Sequence, residues 1–418
     1  MISKIGDLKM NALQGNAVVG QSGGPTAAIN ATLAGVIKGA LSSAEISTLF
    51  GMRNGVEGLL REDLVNLTEL FENDKEGLET LSVTPAAALG SCRKKLGDPK
   101  NDTATYEKLF EIFKKYNIRY FFYIGGNDSM DTVLKLSEYA KSNEYEMRVV
   151  GVPKTIDNDL AATDHTPGFG SAAKFVATTI KEFKRDISVY TVKAVTIVEI
   201  MGRDAGWLTA AAALPSVTGD GPDLVYLPER IFDEEEFVSS VKRALEDHPA
   251  VLVAVSEGIR FADGRYVGEG TQSGAVDVFG HKYLAGTGKV LEGIVKEKIG
   301  CKVRSSELSL TQRCAAHIAS KTDIDESLKI GAAAVESAVS GATGIMMIFV
   351  RNGGADYSVS IKTESIKGIA NEIRTVPDEY INAEGNGITD AGIKYLLPLI
   401  NGEISQIYEN GLPKHFVI

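Results

Sequence analysis

The chain contains few of the residues that build metal centres or disulfide frameworks. Its three cysteines, Cys92, Cys301 and Cys314, show no CxxC spacing, and its five histidines form no HxxH or HExxH pair. A structural zinc site and a disulfide-stapled fold are therefore not expected, and a reducing compartment, the cytoplasm, is predicted. The sequence has no GxxxxGK(S/T) motif, so Walker-type nucleotide chemistry is disfavoured. Ser or Cys nucleophilic catalysis is also not expected, because the histidines are scattered and Cys92 has no obvious histidine partner.

Long apolar runs and an excess of positive charge are also missing. No run approaches the roughly 18 consecutive apolar residues of a membrane-spanning helix, and the N-terminus lacks an apolar signal core. The net charge is −11 and no segment is rich in Lys or Arg, so binding to nucleic acid or to a membrane surface is not expected. The 12 prolines against 43 glycines favour tight turns over a Pro-rich linker.

What the sequence does contain is a repeated pattern of short apolar run, turn and helix. A length of 418 residues exceeds what one hydrophobic core normally serves, so two domains are predicted. The alternation indicates parallel sheets covered by helices on both faces, with ligands bound beyond the carboxyl ends of the strands. We expect strands at residues 17–20, 47–52, 119–124, 148–152, 194–200, 251–256 and 343–350.

Two glycine turns follow predicted strands. Gly23 and Gly24 lie in QSGGPTAAIN and are predicted to open a helix, and a second glycine pair precedes Asn127 and Asp128 in YIGGNDSMDT. Bare backbone N–H groups in such a turn can approach phosphate oxygens closely, although a plain tight turn explains the first pair equally well. A carboxylate in the second turn repels an anion, unless a metal lies between them or the carboxylate serves to exclude an unwanted group.

The segment PKTIDND, after the fourth predicted strand, is the densest in candidate catalytic groups. Asp157 and Asp159 alternate along what is predicted to be an extended segment, so they would point the same way. One carboxylate can accept a hydroxyl proton while its neighbour holds Mg²⁺ directly or through water, and Lys154 supplies a point charge for a phosphate. The alternative is a hydrogen-bonded turn without a catalytic role, since Asp and Asn favour turns.

Several arginines also follow predicted strands or glycine turns, and each alone is as readily explained as a surface residue. They are Arg93 in LGSCRKKL, Arg203 in MGR, and Arg304 and Arg313 on either side of SSELSLTQ. Glu257, after the sixth predicted strand, has the same status. An anion turn, a carboxylate pair and several arginines are the parts that phosphoryl transfer needs, because positioning and charge neutralisation carry most of its rate.

Eight segments, taken in order, resemble the phosphofructokinase family: GGPTAAIN, LGSCR, GGNDS, PKTIDND, TPGFGSA, EIMGRDAGW, SEGI and TQR. The resemblance runs from about residue 16 to beyond residue 330. It implies two doubly wound, Rossmann-like α/β domains with the active site in the cleft between them. It also implies phosphorylation of the 1-hydroxyl of fructose 6-phosphate, with ATP or pyrophosphate as the donor and Mg²⁺ as the metal.

The family's catalytic roles carry over to matching positions of this chain. Asp157 falls on the general base that takes the proton of the sugar 1-hydroxyl, and Thr155 and Asp159 fall on supporting positions near the transferred phosphoryl group and the metal. Asn127 stands where the family usually has a metal-binding aspartate, so the metal site would depend more on Asp128 or on water. The pyrophosphate-binding site is implied at Gly23, Gly24, Arg93, Asp128 and Lys154.

The sugar-phosphate site is implied at residues scattered over the second half of the chain. In addition to Thr155 and Asp157, the resemblance assigns it Met201, Gly202, Arg203, Glu257, Arg304 and Arg313, the last two as grips on the 6-phosphate. Some of these groups come from a neighbouring subunit in the family, which implies a homodimer or homotetramer with active sites near subunit interfaces. Ala194 aligns with a family Arg or Lys that acts from that subunit, and the adjacent Lys193 is the candidate substitute. Leu310 replaces a family aromatic or histidine.

Asp128 and Lys154 decide which phosphoryl donor is expected. ATP-dependent members usually carry glycine at both positions, whereas members with Asp and Lys resemble the pyrophosphate-dependent class. A carboxylate at Asp128 would lie where the α-phosphate of ATP must pass, and two anions a few ångströms apart in a dry cleft repel strongly. Lys154 would stabilise the phosphate that leaves. The sequence therefore predicts reversible phosphoryl transfer from pyrophosphate to fructose 6-phosphate.

Three alternatives remain open on the sequence alone. They are an ATP-dependent enzyme that tolerates Asp128, a non-catalytic regulatory subunit of the same fold, and an enzyme whose sugar is sedoheptulose 7-phosphate.

The family arrangement assigns residues 1–164 plus about 315–370 to a phosphoryl-donor domain that binds pyrophosphate. It assigns about 165–314 plus about 371–418 to a sugar-phosphate domain.

Overall fold

The computed structural model of the protein describes residues 13–269, 286–354, 356–369 and 372–418. These residues form two sheets of mostly parallel strands, each with helices on both faces, and a cleft that lies between the sheets. The predicted doubly wound α/β architecture is confirmed, and a strand is present at each of the seven predicted places. In the part of the chain that is described, no helix is both long and apolar enough to cross a bilayer.

The strands fall into two main sheets and one small hairpin. The first sheet contains β1 Gly15–Gln21, β2 Ile46–Met52, β3 Leu64–Asn66, β4 Ile118–Gly125, β5 Arg148–Pro153, β10 Ile345–Arg351 and β11 Val359–Ser365. The second contains β6 Ala194–Ile200, β7 Leu224–Tyr226, β8 Ala250–Ser256 and β9 Lys302–Glu307. The hairpin pairs β12 Tyr408–Glu409 with β13 Leu412–Pro413.

The helices mostly connect successive strands. Their bounds are α1 Ile29–Leu41, α2 Gly55–Leu60, α3 Leu67–Phe71, α4 Lys75–Val83, α5 Thr103–Lys115, α6 Asn127–Ser142, α7 Phe169–Ile187, α8 Trp207–Ala211, α9 Glu234–Asp247, α10 Thr287–Lys298, α11 Thr311–Cys314, α12 Lys321–Val339 and α13 Asp390–Leu396. The first sheet has the order β11–β10–β5–β4–β1–β2–β3, and its two edge strands, β11 and β3, run antiparallel to their neighbours. The second has the order β7–β8–β6–β9 and is parallel throughout.

The strand β4 shows why its sequence, IRYFFYIG, is almost continuously apolar. Successive side chains of a strand point to opposite faces, and both faces of a parallel sheet are covered. Tyr120, Phe122 and Ile124 accordingly pack into one core with α1 and α12. Phe121 and Tyr123 pack into the opposite core with α5 and α6. The strand is thereby fixed in the centre of the sheet, and its carboxyl end is fixed at the cleft.

The helices α1 and α12 meet in direct backbone contact. A Cβ on Gly35 would lie 2.1 Å from the carbonyl oxygen of Leu328, and a Cβ on Gly331 would lie 2.2 Å from the carbonyl oxygen of Thr32. Only glycine fits at either place, because real Cβ atoms do not approach an oxygen so closely. This close approach brings the first turn of α12, with Asp323, beneath the start of α7.

The second sheet is also buried on both faces, and the C-terminal segment packs on one of them. Val198 and Ile200 of β6 face one core, whereas Val195 and Ile197 face the other. The first of these cores also holds apolar side chains from the C-terminal segment, namely Val376, Ile381, Tyr395, Leu396 and Leu399. The polar stretch that begins near residue 375 is therefore built into the fold.

Candidate active site

The carboxyl ends of strands from both sheets meet at one polar cleft of about 480 Å³. Residues after β1, β4 and β5 line it from the first sheet, and residues after β6 and β8 line it from the second. This is the place where an open α/β sheet binds its ligands. The cleft brings together the predicted residues Gly23, Gly24, Arg93, Asn127, Asp128, Lys154, Thr155, Asp157, Asp159, Met201, Arg203, Glu257 and Arg313.

The first glycine turn lies in the cleft but does not open a helix directly, which corrects that expectation. The helix α1 begins only at Ile29. The N–H of Gly23 donates to the carbonyl oxygen of Cys92 at 3.1 Å, and Nζ of Lys154 donates to the carbonyl oxygen of Gly24 at 2.5 Å. Gly23 has a φ of +78°, and a Cβ there would lie 3.3 Å from Nζ of Lys154. The turn therefore serves to seat a buried lysine beside the cleft.

The second glycine turn does open a helix. Gly126 is the N-cap of α6, which begins at Asn127, so the positive end of this helix dipole lies at the cleft. Oδ1 of Asp128 lies 2.8 Å from Nζ of Lys95. Oδ1 of Asn127 is buried and has no hydrogen-bond partner among the residues described. The helix terminus thus presents a carboxylate that is paired with a cation, and an amide oxygen that has no partner in the described part of the chain.

Residues 154–159 carry the predicted base and its neighbours. Lys154 is only 2% exposed, and burial is the main cause that lowers its pKa to about 8. Oγ1 of Thr155 donates to Oδ2 of Asp157 at 3.2 Å and accepts from the N–H of Asp157 at 3.1 Å. Burial raises the pKa of Asp157, and burial followed by the nearby charge of Asp157 raises the pKa of Asp159 to about 7. Three groups with shifted pKa values in one loop are typical of a functional site.

The same loop is not extended, which corrects the prediction that Asp157 and Asp159 alternate on one side. Asn158 between them has a φ of +54°, in the left-handed region. Asparagine enters this region more readily than most residues do. The directions of the two carboxylates are therefore set by a local turn and not by the period of a strand.

The second sheet contributes Gly202, Arg203 and Glu257 to the cleft region. The N–H of Gly202 donates to Oε1 of Glu257 at 3.3 Å, and the N–H of Glu257 donates to the carbonyl oxygen of Ile200 at 2.9 Å. Burial raises the pKa of Glu257 to about 7. Nε of Arg203 is buried, and no described residue offers it a hydrogen bond. This side therefore presents hydrogen-bonding groups suited to a polar ligand.

Arg93 and Arg313 both line the cleft beside the first glycine turn, although Arg313 was predicted to bind the 6-phosphate of the sugar. A Cβ on Gly24 would lie 3.3 Å from Nη1 of Arg313. Burial, and after it the charge of Arg93, lowers the pKa of Arg313. Together with Lys154, these arginines put three cations beside one turn, and such a cluster attracts a ligand that carries several negative charges.

Three predicted sugar-phosphate residues are absent from the lining of the cleft in a single chain, namely Gly202, Lys193 and Arg304. Gly202 nevertheless lies beside it, between the lining residues Met201 and Arg203. Lys193 precedes β6, at the opposite end of that strand from residues 201–203, and seven strand residues span roughly 23 Å. Arg304 is exposed on the edge strand β9, where it pairs in register with Thr196. Leu310 is 56% exposed, as a residue without a role in the cleft would be.

Reasoning from the sequence missed several residues of the cleft lining, among them Lys95, Asp204 and Ile373. Lys95 follows Arg93 in a basic run, and such a run by itself indicates a solvated surface. Asp204 pairs with Arg260 at 2.5 Å and follows the MGR segment without a motif of its own. Ile373 comes from the C-terminal segment and forms an isolated antiparallel bridge with Leu160. No local signal marks a contact across so many residues.

Comparisons with known proteins agree with this geometry. The phosphofructokinase family model matches residues 16–338. A pyrophosphate–fructose 6-phosphate 1-phosphotransferase from Methylococcus capsulatus is 42% identical over 407 residues, 96% of this chain and 96% of the relative. The crystal structure of the pyrophosphate-dependent phosphofructokinase from Nitrosospira multiformis matches with a TM-score of 0.86 at 38% identity, covering 96% of this chain and 95% of that one. A sulfofructose kinase from Alkalicoccus urumqiensis is 31% identical over 365 residues, 87% of this chain and 91% of the relative.

Two α/β domains around a cleft with clustered cations and desolvated carboxylates define a phosphoryl-transfer enzyme. The chain belongs to the phosphofructokinase family. The resemblance carried by its eight ordered segments is therefore confirmed.

The shifted pKa values predict a narrow pH optimum. If Asp157 and Asp159 work as carboxylates, activity should fall at acid pH, because burial raises the pKa of both and that of Asp159 to about 7. Lys154 acts as a cation, and its lowered pKa means that its charge is lost as the pH rises through about 8. A profile of kcat/KM against pH should therefore peak between these two limits. In Lys154→Met the alkaline limb should disappear from the residual activity, and an unchanged alkaline limb would contradict this assignment.

Proposed function

We propose that this enzyme reversibly transfers a phosphoryl group from pyrophosphate to the 1-hydroxyl of fructose 6-phosphate, giving fructose 1,6-bisphosphate and phosphate. The observation that carries the proposal is the meeting, in one cleft, of three cations, a desolvated carboxylate pair and Asp128 at a helix terminus. Relatives 42% identical to this chain are named for the same donor and acceptor. Positioning and charge neutralisation of this kind are what phosphoryl transfer requires.

Asp157 is the proposed general base. Its carboxylate accepts the proton of the 1-hydroxyl while that oxygen bonds to phosphorus and the bond from phosphorus to the leaving phosphate breaks. Thr155 donates a hydrogen bond to this carboxylate and orients it. Lys154 and Arg93 are proposed to neutralise the phosphate that leaves.

The sugar phosphate is proposed to bind at Met201, Gly202, Arg203, Glu257 and Arg313, the last as a grip on the 6-phosphate. Arg203 can clamp an oxygen of the sugar phosphate, and the carboxyl of Glu257 can bond a sugar hydroxyl. One relative is named a sulfofructose kinase. The acceptor should therefore be tested on a panel that includes fructose 6-phosphate, sedoheptulose 7-phosphate and sulfofructose.

Mg²⁺ is the proposed metal. No three His, Cys, Asp or Glu side chains of the described residues are clustered so as to hold a metal by themselves. Mg²⁺ usually takes one or two protein groups and completes its shell with water and substrate phosphates, so the small set of oxygens here is of the right kind. Asn127, whose buried Oδ1 lacks a partner within the described protein, and Asp128 would hold it. When bound, the ion would neutralise charge on the transferring phosphoryl group.

Asp128 is proposed to exclude ATP, and its ion pair with Lys95 bears on how it does so. A paired carboxylate repels an anion less than an unpaired one, so charge accounts for less of the exclusion than the sequence suggested. The two side chains meet at the donor side of the cleft and also occupy space there. This favours pyrophosphate over the ATP-dependent alternative, and the presence of Asp157 with its arginines favours catalysis over a regulatory role.

We also infer the assembly, the domain division and the compartment. The exposure of Lys193 and Arg304 supports a homodimer or homotetramer in which these residues reach a neighbouring active site.

The donor domain, 1–164 plus about 315–370, is supported by the place of β10 and β11 in the first sheet. The sugar-phosphate domain, about 165–314 plus about 371–418, is supported by the packing of the C-terminal segment on the second sheet. Free cysteines support the cytoplasm.

The test of the function is an assay with fructose 6-phosphate, Mg²⁺ and either pyrophosphate or ATP. Asp157→Ala and Asp157→Ser should lower kcat by about 10²–10⁴-fold with little change in KM, because a base acts mainly in the transition state. Asp131→Ala removes an acid that pairs with Lys135 on α6, and it should keep normal activity. Turnover with ATP and none with pyrophosphate would refute the proposed donor.

The donor preference should depend on Asp128 and Lys154 together. The double variant Asp128→Gly/Lys154→Gly should raise the KM for pyrophosphate about tenfold or more, since each lost charged contact is worth about 1.5–3 kcal/mol, and should allow turnover with ATP. The two charges lie in one site, so single variants should not add up to the double. Lys94→Gly is the matched control next to Lys95. If ATP is still refused, some other feature blocks the nucleotide.

The proposed contribution of Arg304 from a neighbouring subunit can be tested by combining two defective chains, assayed at a low concentration of fructose 6-phosphate. Arg304→Ala should raise the KM for fructose 6-phosphate. Co-expression of an Arg304→Ala chain with an Asp157→Ala chain should restore one intact site in each hybrid dimer, about half of its sites, because one chain supplies the base and the other the arginine. Hybrids that stay inactive would mean that Arg304 serves only its own chain.

A further inference from the structure

The loop that carries Asp157 and Asp159 is held by residues beyond position 338, where the family match ends. The N–H of Arg374 donates to the carbonyl oxygen of Asp159 at 2.8 Å, and its Nη1 donates to the carbonyl oxygen of Asn158 at 3.5 Å. Nδ2 of Asn158 donates to the hydroxyl of Tyr395 at 3.4 Å. The C-terminal segment thus contacts both residues that follow the proposed base.

Asn158 is the residue through which these contacts act on the carboxylates. It is fully buried in the left-handed conformation, and its Oδ1 accepts a hydrogen bond from the N–H of Thr166 at 3.1 Å. A left-handed residue reverses the local course of the chain, so the orientation of Asn158 decides where Asp157 and Asp159 point. Whatever fixes Asn158 therefore fixes the geometry of the base.

Tyr395 and Arg374 are themselves anchored in both halves of the molecule. The hydroxyl of Tyr395 donates to the carbonyl oxygen of Asp164 at 2.6 Å and accepts from Nη2 of Arg374 at 2.8 Å. The guanidinium of Arg351, at the end of β10, lies 4.3 Å from the centre of the Tyr395 ring. The guanidinium of Arg374 lies 4.3 Å from the ring of Trp207, whose Nε1 donates to the carbonyl oxygen of Arg374 at 2.9 Å.

We propose that Tyr395 and Arg374 are positioning residues for phosphoryl transfer, which clamp the backbone of residues 158–159 and so hold Asp157 in place for the reacting hydroxyl. The proposal rests on the function proposed above. The clamp joins the first sheet, through Arg351, to the second domain, through Trp207. Displacement of a reacting group by about 1 Å can cost about 10²-fold in rate, so a clamp that does not touch the substrate has a large kinetic effect.

The sharpest test removes one oxygen atom from the clamp. Tyr395→Phe keeps the ring that packs against Trp207 and Tyr380, but it loses the bonds to Asn158, Arg374 and Asp164. We expect kcat to fall about tenfold or more, with KM for both substrates changed less than about twofold. The matched control is Tyr380→Phe, which takes the hydroxyl from the ring stacked on Tyr395 and should leave kcat unchanged.

The pH profile separates positioning from a purely structural role. A loosened loop admits water to Asp157 and Asp159, whose pKa values burial holds above their ordinary range. The acid limb of kcat in Tyr395→Phe should therefore move to lower pH. A role confined to stability would lower the melting temperature and leave the acid limb in place, and this result would overturn the proposal. An unchanged kcat in the folded variant would overturn it as well.

Two further measurements cover the remaining outcomes. If Tyr395→Phe does not fold, Arg374→Lys keeps the charge but loses the bridging nitrogens, and a normal kcat in that variant overturns the proposal. If the wild-type enzyme transfers nothing from pyrophosphate, the proposed function fails. The clamp can then still be tested by measuring amide hydrogen exchange at residues 155–160. Exchange there should rise in Tyr395→Phe and stay constant in Tyr380→Phe; equal exchange in both would overturn the clamp.

Discussion

The structure depends on one electrostatic constraint, which is that several charges must lie desolvated beside one another where the two sheets meet. Burial lowers the pKa of Lys154 to about 8 and raises that of Asp159 to about 7, so each ion is held close to neutralisation. A buried charge persists only where fixed partners compensate for the lost water. The carbonyl oxygen of Gly24 and the hydroxyl of Thr155 are two such partners, and both are fixed by the turns that end β1 and β5. The positions at which β1 and β5 end are therefore constrained, because the turns that follow these strands hold the groups that stabilise the buried charges.

The same constraint explains how the helix termini near the cleft are used. The N–H groups of Gly168 and Ser171, at the start of α7, donate to the buried carboxylate of Asp323 at 2.8 and 2.9 Å. This terminus carries a GxGxxA pattern, yet an internal carboxylate already takes the place that a dinucleotide phosphate would need. The terminus of α6, in contrast, lies in the lining of the cleft. Of these two helix termini, the one that faces a ligand in the cleft is therefore that of α6.

These particulars also show which features could be predicted from the sequence. The strands that were predicted have apolar runs because both of their faces are covered, whereas β9 was missed because its sequence, KVRSSE, belongs to a partly exposed edge. Residues that directly follow strands could be predicted to lie in the cleft, because the fold brings the carboxyl ends of those strands together there. Lys95 and Tyr395 were missed because their roles depend on contacts with Asp128 and Asn158 that are distant in the sequence. The turn at Asn158 did have a signal, since an asparagine between two aspartates favours a left-handed residue over a strand.

The ion pair at the start of α6 changes the physical account of donor choice. Asn127 removes one negative charge from this terminus relative to the usual family pattern, and Lys95 offsets the charge of Asp128. With Lys154, Arg93 and Arg313 nearby, this part of the cleft is locally positive on a protein whose net charge is −11. Such a surface attracts any polyphosphate, so a general negative potential cannot be what refuses ATP. On the proposed function, discrimination would instead come from the position of Asp128 and from the space that it and Lys95 fill.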